Sequence, residues 1–349
     1  MATYGYRVHY LEPHIRRTQN FLTVEDVSQA SDDTDAIEDV HRRLLALQDE
    51  THVGRPTYFV SDEHEALRQA DMDEANDLPY LTILKVDRED RVIEILVETG
   101  REQDHDGIRT RDGQEEPIRR KAAVRRSWVV LAFPRKGDRA LMVSEVRGRT
   151  FAGVELFELL TRTAQREKVR QDEKGNKTED PWLNWKLTPC VDGDRLDGIL
   201  NGSSDHAIKL RRNTVNAQGN RGSYDIELVQ FGLKSTPIER LTQVILDMAH
   251  RKGSDTEEAR RRAAAADVVT LVEPNVGGVE FTDAEISFKE NGKTQTVTSE
   301  TVDKLFVYPI GSQRMKTAMD LRSKAAPVVQ RIAPTLGIQA DLSVADSSG

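Results

Sequence analysis

The sequence predicts an α+β chain, with mainly antiparallel sheets and packed helices, in two or three domains. Three observations carry this. Short β-rich runs sit in adjacent pairs around polar turns, as in antiparallel hairpins. Other segments space apolar residues three and four apart, the period of an amphipathic helix. And 349 residues exceed what one ordinary core accommodates.

Taken in order, Tyr4–Leu11 alternates loosely up to Pro13 and predicts a first strand. The acidic, Ser-rich stretch 25–35 predicts a loop. Ile37, Val40, Leu44 and Leu45 form a helical stripe over about 35–48. Thr57–Val60 predicts a short strand and Glu63–Ala75 an exposed helix. Tyr80–Val86 and Arg91–Val97 flank the turn Asp87–Asp90 and predict a hairpin. Residues 100–116 hold one large apolar side chain, Ile108, and predict a mobile linker closing an acidic first domain over 1–116.

A basic, β-rich domain over 117–235 follows. Trp128–Phe133 and Ala140–Val143 are continuous apolar runs around the basic turn 134–139, and Val154–Lys168 predicts a helix. Residues 171–180 predict a loop. Trp182, Trp185 and Leu187 open an ordered stretch in which the tryptophans predict core packing ahead of base stacking. A short helix over 194–200 precedes strands at 207–210 and 224–231, separated by a long loop at 211–223.

The third domain, 236–340, opens with a helix signature: Thr236 at the cap, Pro237 at the first position and Glu239 at the third. Ile238, Leu241, Val244, Ile245 and Met248 form its apolar face, and Gly253 ends it. A helix over 256–266, a strand over 268–272, a hairpin over 284–298 around Asn291-Gly292, a strand over 305–308 and a helix over 315–332 broken at Pro327 complete it. Residues 341–349 predict a flexible tail.

Composition narrows the function. No 18-residue apolar run exists to span a membrane as a helix. The segment Met1–Arg7 lacks the apolar centre of a secretory signal. Cys190 is the single cysteine, which excludes an intramolecular disulfide framework and a multi-cysteine zinc site. A cytoplasmic, bacterial protein is the expectation. The net charge of -9 hides an asymmetry along the chain. Residues 1–116 carry 13 Lys and Arg against 28 Asp and Glu, while 117–170 carry 14 against 5. Such separation predicts an anion-binding unit, or docking of an acidic part on a basic one.

The candidate phosphate contacts are therefore Arg119, Arg120, Lys121, Arg125 and Arg126 before the first central strand, Arg135, Lys136 and Arg139 at the turn, and Arg147 and Arg149 after the second strand. Lys209, Arg211, Arg212 and Arg221 form a weaker set around the Gly- and Asn-rich loop. Lysine and arginine neutralise phosphates and release counterions, so these predict binding to a nucleic-acid backbone, DNA ahead of RNA, with little sequence readout. The two ends of the central hairpin are separated by roughly 20 Å, at about 3.3 Å per residue. The acidic first domain would then bind a partner or compete with phosphate for the arginines. Arg260-Arg-Arg262 spreads over a wide arc and predicts an exposed face.

Catalytic signatures are weak, and no catalytic residue, metal ligand or cofactor is predicted. Asp283, Glu285 and Lys289 loosely resemble the acids and lysine of a metal-dependent nuclease without its Glu-x-Lys spacing. Asp192-Gly-Asp194 with Asp197 imitates a calcium loop but lacks the later ligands. His206 stands beside Asp205 with no nucleophile tied to it by sequence. Phosphate-loop, dinucleotide and serine-hydrolase motifs are absent. Two alternatives to nucleic-acid binding follow: such a nuclease, and a protein–protein assembly module or homo-oligomer that docks through charge complementarity. In general cast, though in no motif, the chain resembles accessory proteins of phage-defence and mobile-element loci.

Overall fold

The computed structural model describes residues 4–16, 20–53, 79–102, 107–109, 115–117, 122–147, 150–171, 177–215, 221–231, 238–251, 256–272, 281–290, 292–311, 315–340 and 342. The fold is α+β with antiparallel sheets. The chain forms two compact units, Met1–Leu187 with Tyr308–Gly349, and Thr188–Val307. The predicted strand at 57–60 and helix at 63–75 lie outside the described residues.

The first unit is built on one large sheet. Its strands are β1 (Tyr4–Ile15), β2 (Thr51–Val53), β3 (Pro79–Glu89), β4 (Val92–Glu102), β7 (Ala122–Ala132), β8 (Ala140–Arg147), β9 (Thr150–Phe151), β12 (Leu183–Pro189) and β17 (Tyr308–Pro309). The order is β12-β1-β8-β7-β4-β3-β2, with β17 added to β1 and β9 to β8. Between β4 and β7 lie two short strands, β5 (Gly107–Arg109) and β6 (Glu115–Pro117), paired with each other where a linker was expected. The break expected at 116 falls inside the sheet: β4 and β7 pair over eleven positions, Val92 opposite Ala132 through Glu102 opposite Ala122. A further short pair, β10 (Val169–Gln171) and β11 (Lys177–Glu179), replaces part of the loop expected at 171–180.

Helices cover both faces of this sheet. Helix α1 (Ala36–Ala46) is capped by Asp35, whose carboxylate accepts from the Ile37 N–H at 3.1 Å. It joins α2 (Ala152–Lys168) and the odd-numbered residues Val129, Leu131 and Phe133 in one core. Trp185 packs edge-on against Phe133 and Phe157 in that core, the role expected of it. The C-terminal helix α6 (Ala318–Ile332) packs on β4, β7 and β8. Alternation along the strands assigns it the opposite face. There Arg322 donates to Glu89 at 2.8 Å, Glu94 at 3.0 Å and the Leu342 carbonyl at 3.2 Å. This helix begins at Thr317 with a capping box, and it continues through Pro327, where a break was expected.

The second unit is a four-stranded sheet, β14-β13-β15-β16, comprising β13 (Ser204–Val215), β14 (Arg221–Phe231), β15 (Asp283–Glu290) and β16 (Lys293–Val297). Helices α3 (Gly193–Asn201), α4 (Ile238–Arg251) and α5 (Glu257–Val269) supply much of the rest of its core, with Leu271, Phe281, Val302 and Phe306. The expected β15–β16 hairpin forms, with Glu290 opposite Lys293 and Gly292 at φ 75°. The strand expected at 268–272 does not, and of the one expected at 305–308 only Tyr308 is in a strand, β17. Residues 268–269 finish α5, because Val268 lies on the buried face of that helix. Residues 305–306 finish a 3₁₀ turn over Val302–Phe306.

A buried ion pair within α1 also reaches α2. Arg43 and Asp39 are almost wholly buried, and Arg43 Nη2 lies 2.9 Å from Asp39 Oδ1. Arg43 also lies 2.7 Å from Glu167, and the Ser31 hydroxyl donates to Asp39 at 2.5 Å. Removing one member of such a pair leaves a buried charge uncompensated. Asp39→Ala is therefore expected to destabilise the protein by about 3 kcal/mol, the lower end for a broken buried pair because Glu167 remains. The double variant Asp39→Ala/Arg43→Met should recover part of this loss, as read from urea unfolding midpoints.

Candidate nucleic-acid interface

The central hairpin β7–β8 carries basic side chains at both ends. At its turn, Val24 N–H donates to the Gly137 carbonyl at 2.7 Å, and Gly137 N–H donates to Glu25 at 2.9 Å. Gly137 has φ 129°, a conformation open to glycine alone without strain. The turn is thus held from both its donor and acceptor sides. Arg135 and Lys136 project from it into solvent. Arg135 meets Asp90 at 3.1 Å, and their side chains are 79% and 70% exposed. Arg139 is engaged more deeply. It donates to Glu12 at 3.1 Å and to the Leu336 carbonyl at 3.1 Å, with its guanidinium 5.0 Å above the Tyr10 ring.

At the other end the strands part. Backbone pairing of β7 with β8 runs from Ala132–Leu141 to Val129–Ser144, and β9 takes over beside Val146 and Arg147. Where pairing stops, the Trp128 N–H donates at 2.7 Å to the buried carboxylate of Glu145. The same carboxylate accepts from the Tyr4 hydroxyl, which itself accepts from the Met315 N–H at 2.7 Å. Burial, reinforced by Glu145, raises the Tyr4 hydroxyl above its ordinary pKa. Arg147 lies 4.6 Å over the Tyr4 ring. Arg125 donates to the Arg147 carbonyl at 3.0 Å, and Arg126 donates at 2.8 Å to Glu98, its cross-strand neighbour. This end is therefore a set of internal contacts. Arg119, Arg120, Lys121 and Arg149 lie outside the described residues.

In the second unit, Lys209 stands on β13 as expected, and Arg211 and Arg212 stand on the same strand, where a loop was expected. The β pattern extends past them because Arg211 faces Glu227 and Asp283 across the two neighbouring ladders. Arg211 lies 3.2 Å from Glu285. Alternation directs Lys209 and Arg211 to one face of the sheet and Arg212 to the other. Arg221 opens β14 opposite Val215, and its side chain is outside the described residues. Arg261 and Arg262 pair with Glu257 and Glu258 one turn earlier on α5, and Arg261 also with Glu300.

The structure thus brings together three groups: Arg135, Lys136 and Arg139 at the turn, Arg125, Arg126 and Arg147 at the far end, and Lys209 with Arg211 in the second unit. The counterions Glu12, Glu98 and Asp90 were not identified as such from sequence. They sit 127, 28 and 45 positions from their partners, and only the sheet register reveals them.

The remaining candidates take structural roles. Asp192 caps α3 by accepting from the Arg195 N–H at 3.1 Å. Ser203 lies 2.9 Å from His206 Nε2 and also donates to the Leu200 carbonyl at 2.8 Å. With its proton committed there, the serine can only accept from the ring, the reverse of an activated nucleophile. Among the described residues, no group of three or more His, Cys, Asp or Glu side chains could hold a metal ion, and no helix is long and apolar enough to cross a membrane. No protein-family model, curated protein or solved structure matches the chain.

Asp283 is half-buried at the start of β15, with the Ala284 N–H donating to it at 2.9 Å. Burial raises its pKa above the ordinary carboxylate value. A carboxyl whose folded pKa is raised favours folding below the unfolded value of about 3.9 and loses that contribution as pH rises through the folded value. Asp283→Asn should therefore raise the urea midpoint at pH 7 and lose this advantage toward pH 4. Unfolding curves across that range check it.

Proposed function

We propose that the protein binds a nucleic-acid phosphate backbone, DNA ahead of RNA, without catalysing its cleavage, and that the β7–β8 turn makes the contact. The observation that supports this reading is the state of Arg135 and Lys136. Their turn is anchored by main-chain bonds to the loop at Val24 and Glu25. Arg135's partner Asp90 is itself strongly exposed. An exposed pair of this kind is worth about 0–1 kcal/mol, so a phosphate displaces Asp90 at little cost. Arg125, Arg126, Arg139 and Arg147 are less available, since each has a second role in holding the sheet. The overall acidic balance suits a localised contact better than a general nucleic-acid coat.

A second reading has its own support. The ion pairs Arg126–Glu98, Arg139–Glu12 and Arg211–Glu285 use much of the basic surface internally, which counts against an extended phosphate surface and keeps an assembly module that docks on another protein as the second reading.

Binding to labelled duplex DNA across a salt series separates the two. Each phosphate contact contributes about 0.9 to the slope of log affinity against log salt. Arg135→Ala/Lys136→Ala should lower the slope by up to about 1.8. Adding Arg139→Ala should lower stability with little further change in slope. Arg126→Ala should leave the slope unchanged. Absence of binding at about 50 mM salt, conditions under which phosphate contacts are strong, would leave the assembly reading. In the same assay Asp90→Asn should tighten binding, because it frees Arg135.

A further inference from the structure

Close to the turn, the loop that anchors it carries an aromatic ring in an unusual setting. Phe21 is 52% exposed, although the surrounding chain is well bonded. Ile15 N–H donates to the Asn20 carbonyl at 3.0 Å, and Leu22 N–H donates to the Pro13 carbonyl at 2.8 Å, so Phe21 is tied to the end of β1 on both sides. Around the ring, His14 lies with its centroid 5.8 Å away, and Lys186 Nζ lies 5.7 Å over the centroid. Asn184 Nδ2 is 3.0 Å from His14 Nε2 and so holds the imidazole in place. Burial, with Arg16 and Lys186 nearby, lowers the His14 pKa, so the ring beside Phe21 carries no charge at neutral pH. Arg16, next along from β1, is exposed. Three residues after Phe21, Val24 bonds to Gly137, next to Lys136. An extended chain spans about 10 Å over that interval.

A phenyl ring backed by a cation, fixed in position and left open to solvent, has the composition of a base-stacking platform. Every nucleobase offers a π-face, and cations alongside receive the phosphates. A duplex keeps its bases stacked on one another, so such a platform serves unpaired bases only. We infer that Phe21 stacks an unpaired base of single-stranded nucleic acid, with Lys186 behind the ring and the strand's phosphates continuing to Lys136 and Arg135. This inference rests on the nucleic-acid reading above and adds to it a second contact, made only where single strands or unpaired duplex ends offer a base.

The test uses the full chain with oligodeoxythymidine and a blunt duplex of equal length. Phe21→Ala and Phe21→Leu should each weaken oligodeoxythymidine binding about tenfold, the leucine because it keeps apolar area but loses the π-face. Both should leave duplex binding unchanged. Phe21→Trp should bind at least as well as the parent. Its introduced indole reports directly, since Trp128, Trp182 and Trp185 are all buried. Its emission should be quenched by bound oligodeoxythymidine and not by the duplex. Unchanged affinity in Phe21→Leu, or unquenched emission with oligodeoxythymidine bound, overturns the stacking inference while leaving phosphate binding by Arg135 and Lys136 standing. If neither nucleic acid binds, the nucleic-acid reading and the stacking inference fall together.

Discussion

The run Trp128–Phe133 has no polar side chain to turn toward water, and the first unit is arranged around covering it. Val129, Val130, Leu131 and Ala132 are all buried, although successive side chains on a strand point to opposite faces. One layer of helices cannot cover both. Helices α1 and α2 take the odd-numbered face, and the C-terminal helix α6 has to return for the other. That requirement accounts for the discontinuity of the first unit, in which residues 308–349 belong with 1–187 while 188–307 form a unit of their own. It also accounts for the burial of Arg322, whose charge is carried into the α6 contact and met there by Glu89 and Glu94.

The charge separation along the chain has a related origin. The acidic strand β4 and the basic strand β7 are neighbours in the sheet. Opposite charges facing each other across strands stabilise a pairing that like charges would oppose, as Glu98 and Arg126 illustrate. Lys168 on α2 meets Asp32 in the loop before α1, and Glu167 receives Arg42 and Arg43 from α1. Much of what reads in one dimension as an acidic domain and a basic domain is, in three, a set of contacts that fix register and helix docking.

Local signals were legible where the local chain decides the outcome. The helical stripe before Gln48, the β15–β16 hairpin and the strands at the apolar runs 128–133 and 140–143 depend on neighbouring residues, and each formed. The β-branched run Val268-Val-Thr270 was misleading. A strand propensity of this size is small beside the burial of Val268 against the core of the second unit, so the segment completes a helix instead. Arg211 and Arg212 looked like loop residues because their own neighbours are Asn and Gly, but the ladders with β14 and β15 extend the strand past them. At the candidate interface, sequence found the cations. It could not find their counterions, nor the meeting of Lys186 with Phe21 and His14, because these contacts join residues distant in sequence.

What separates the available cations from the committed ones is the exposure of their acidic partners. Glu12 is 11% exposed and holds both Arg139 at 3.1 Å and Lys186 at 3.7 Å. Asp90 is 70% exposed, and its carboxylate meets Arg135 at a similar distance. Coulomb attraction between unit charges 4 Å apart is about 1 kcal/mol in water and about 4 kcal/mol at the effective dielectric near a protein surface. On the proposed reading, an incoming phosphate would meet a graded set of competitors: a solvated carboxylate at Arg135, none among the described residues at Lys136, and a sheltered one at Glu12. Lys186 stays on the sheltered side, where Glu12 holds its position behind the Phe21 ring. The same carboxylate that withdraws Arg139 and Lys186 from phosphate thus keeps one of them aligned with the aromatic. The turn and the ring then differ in chemistry as well as place, with charge exposed at one and a π-face exposed at the other.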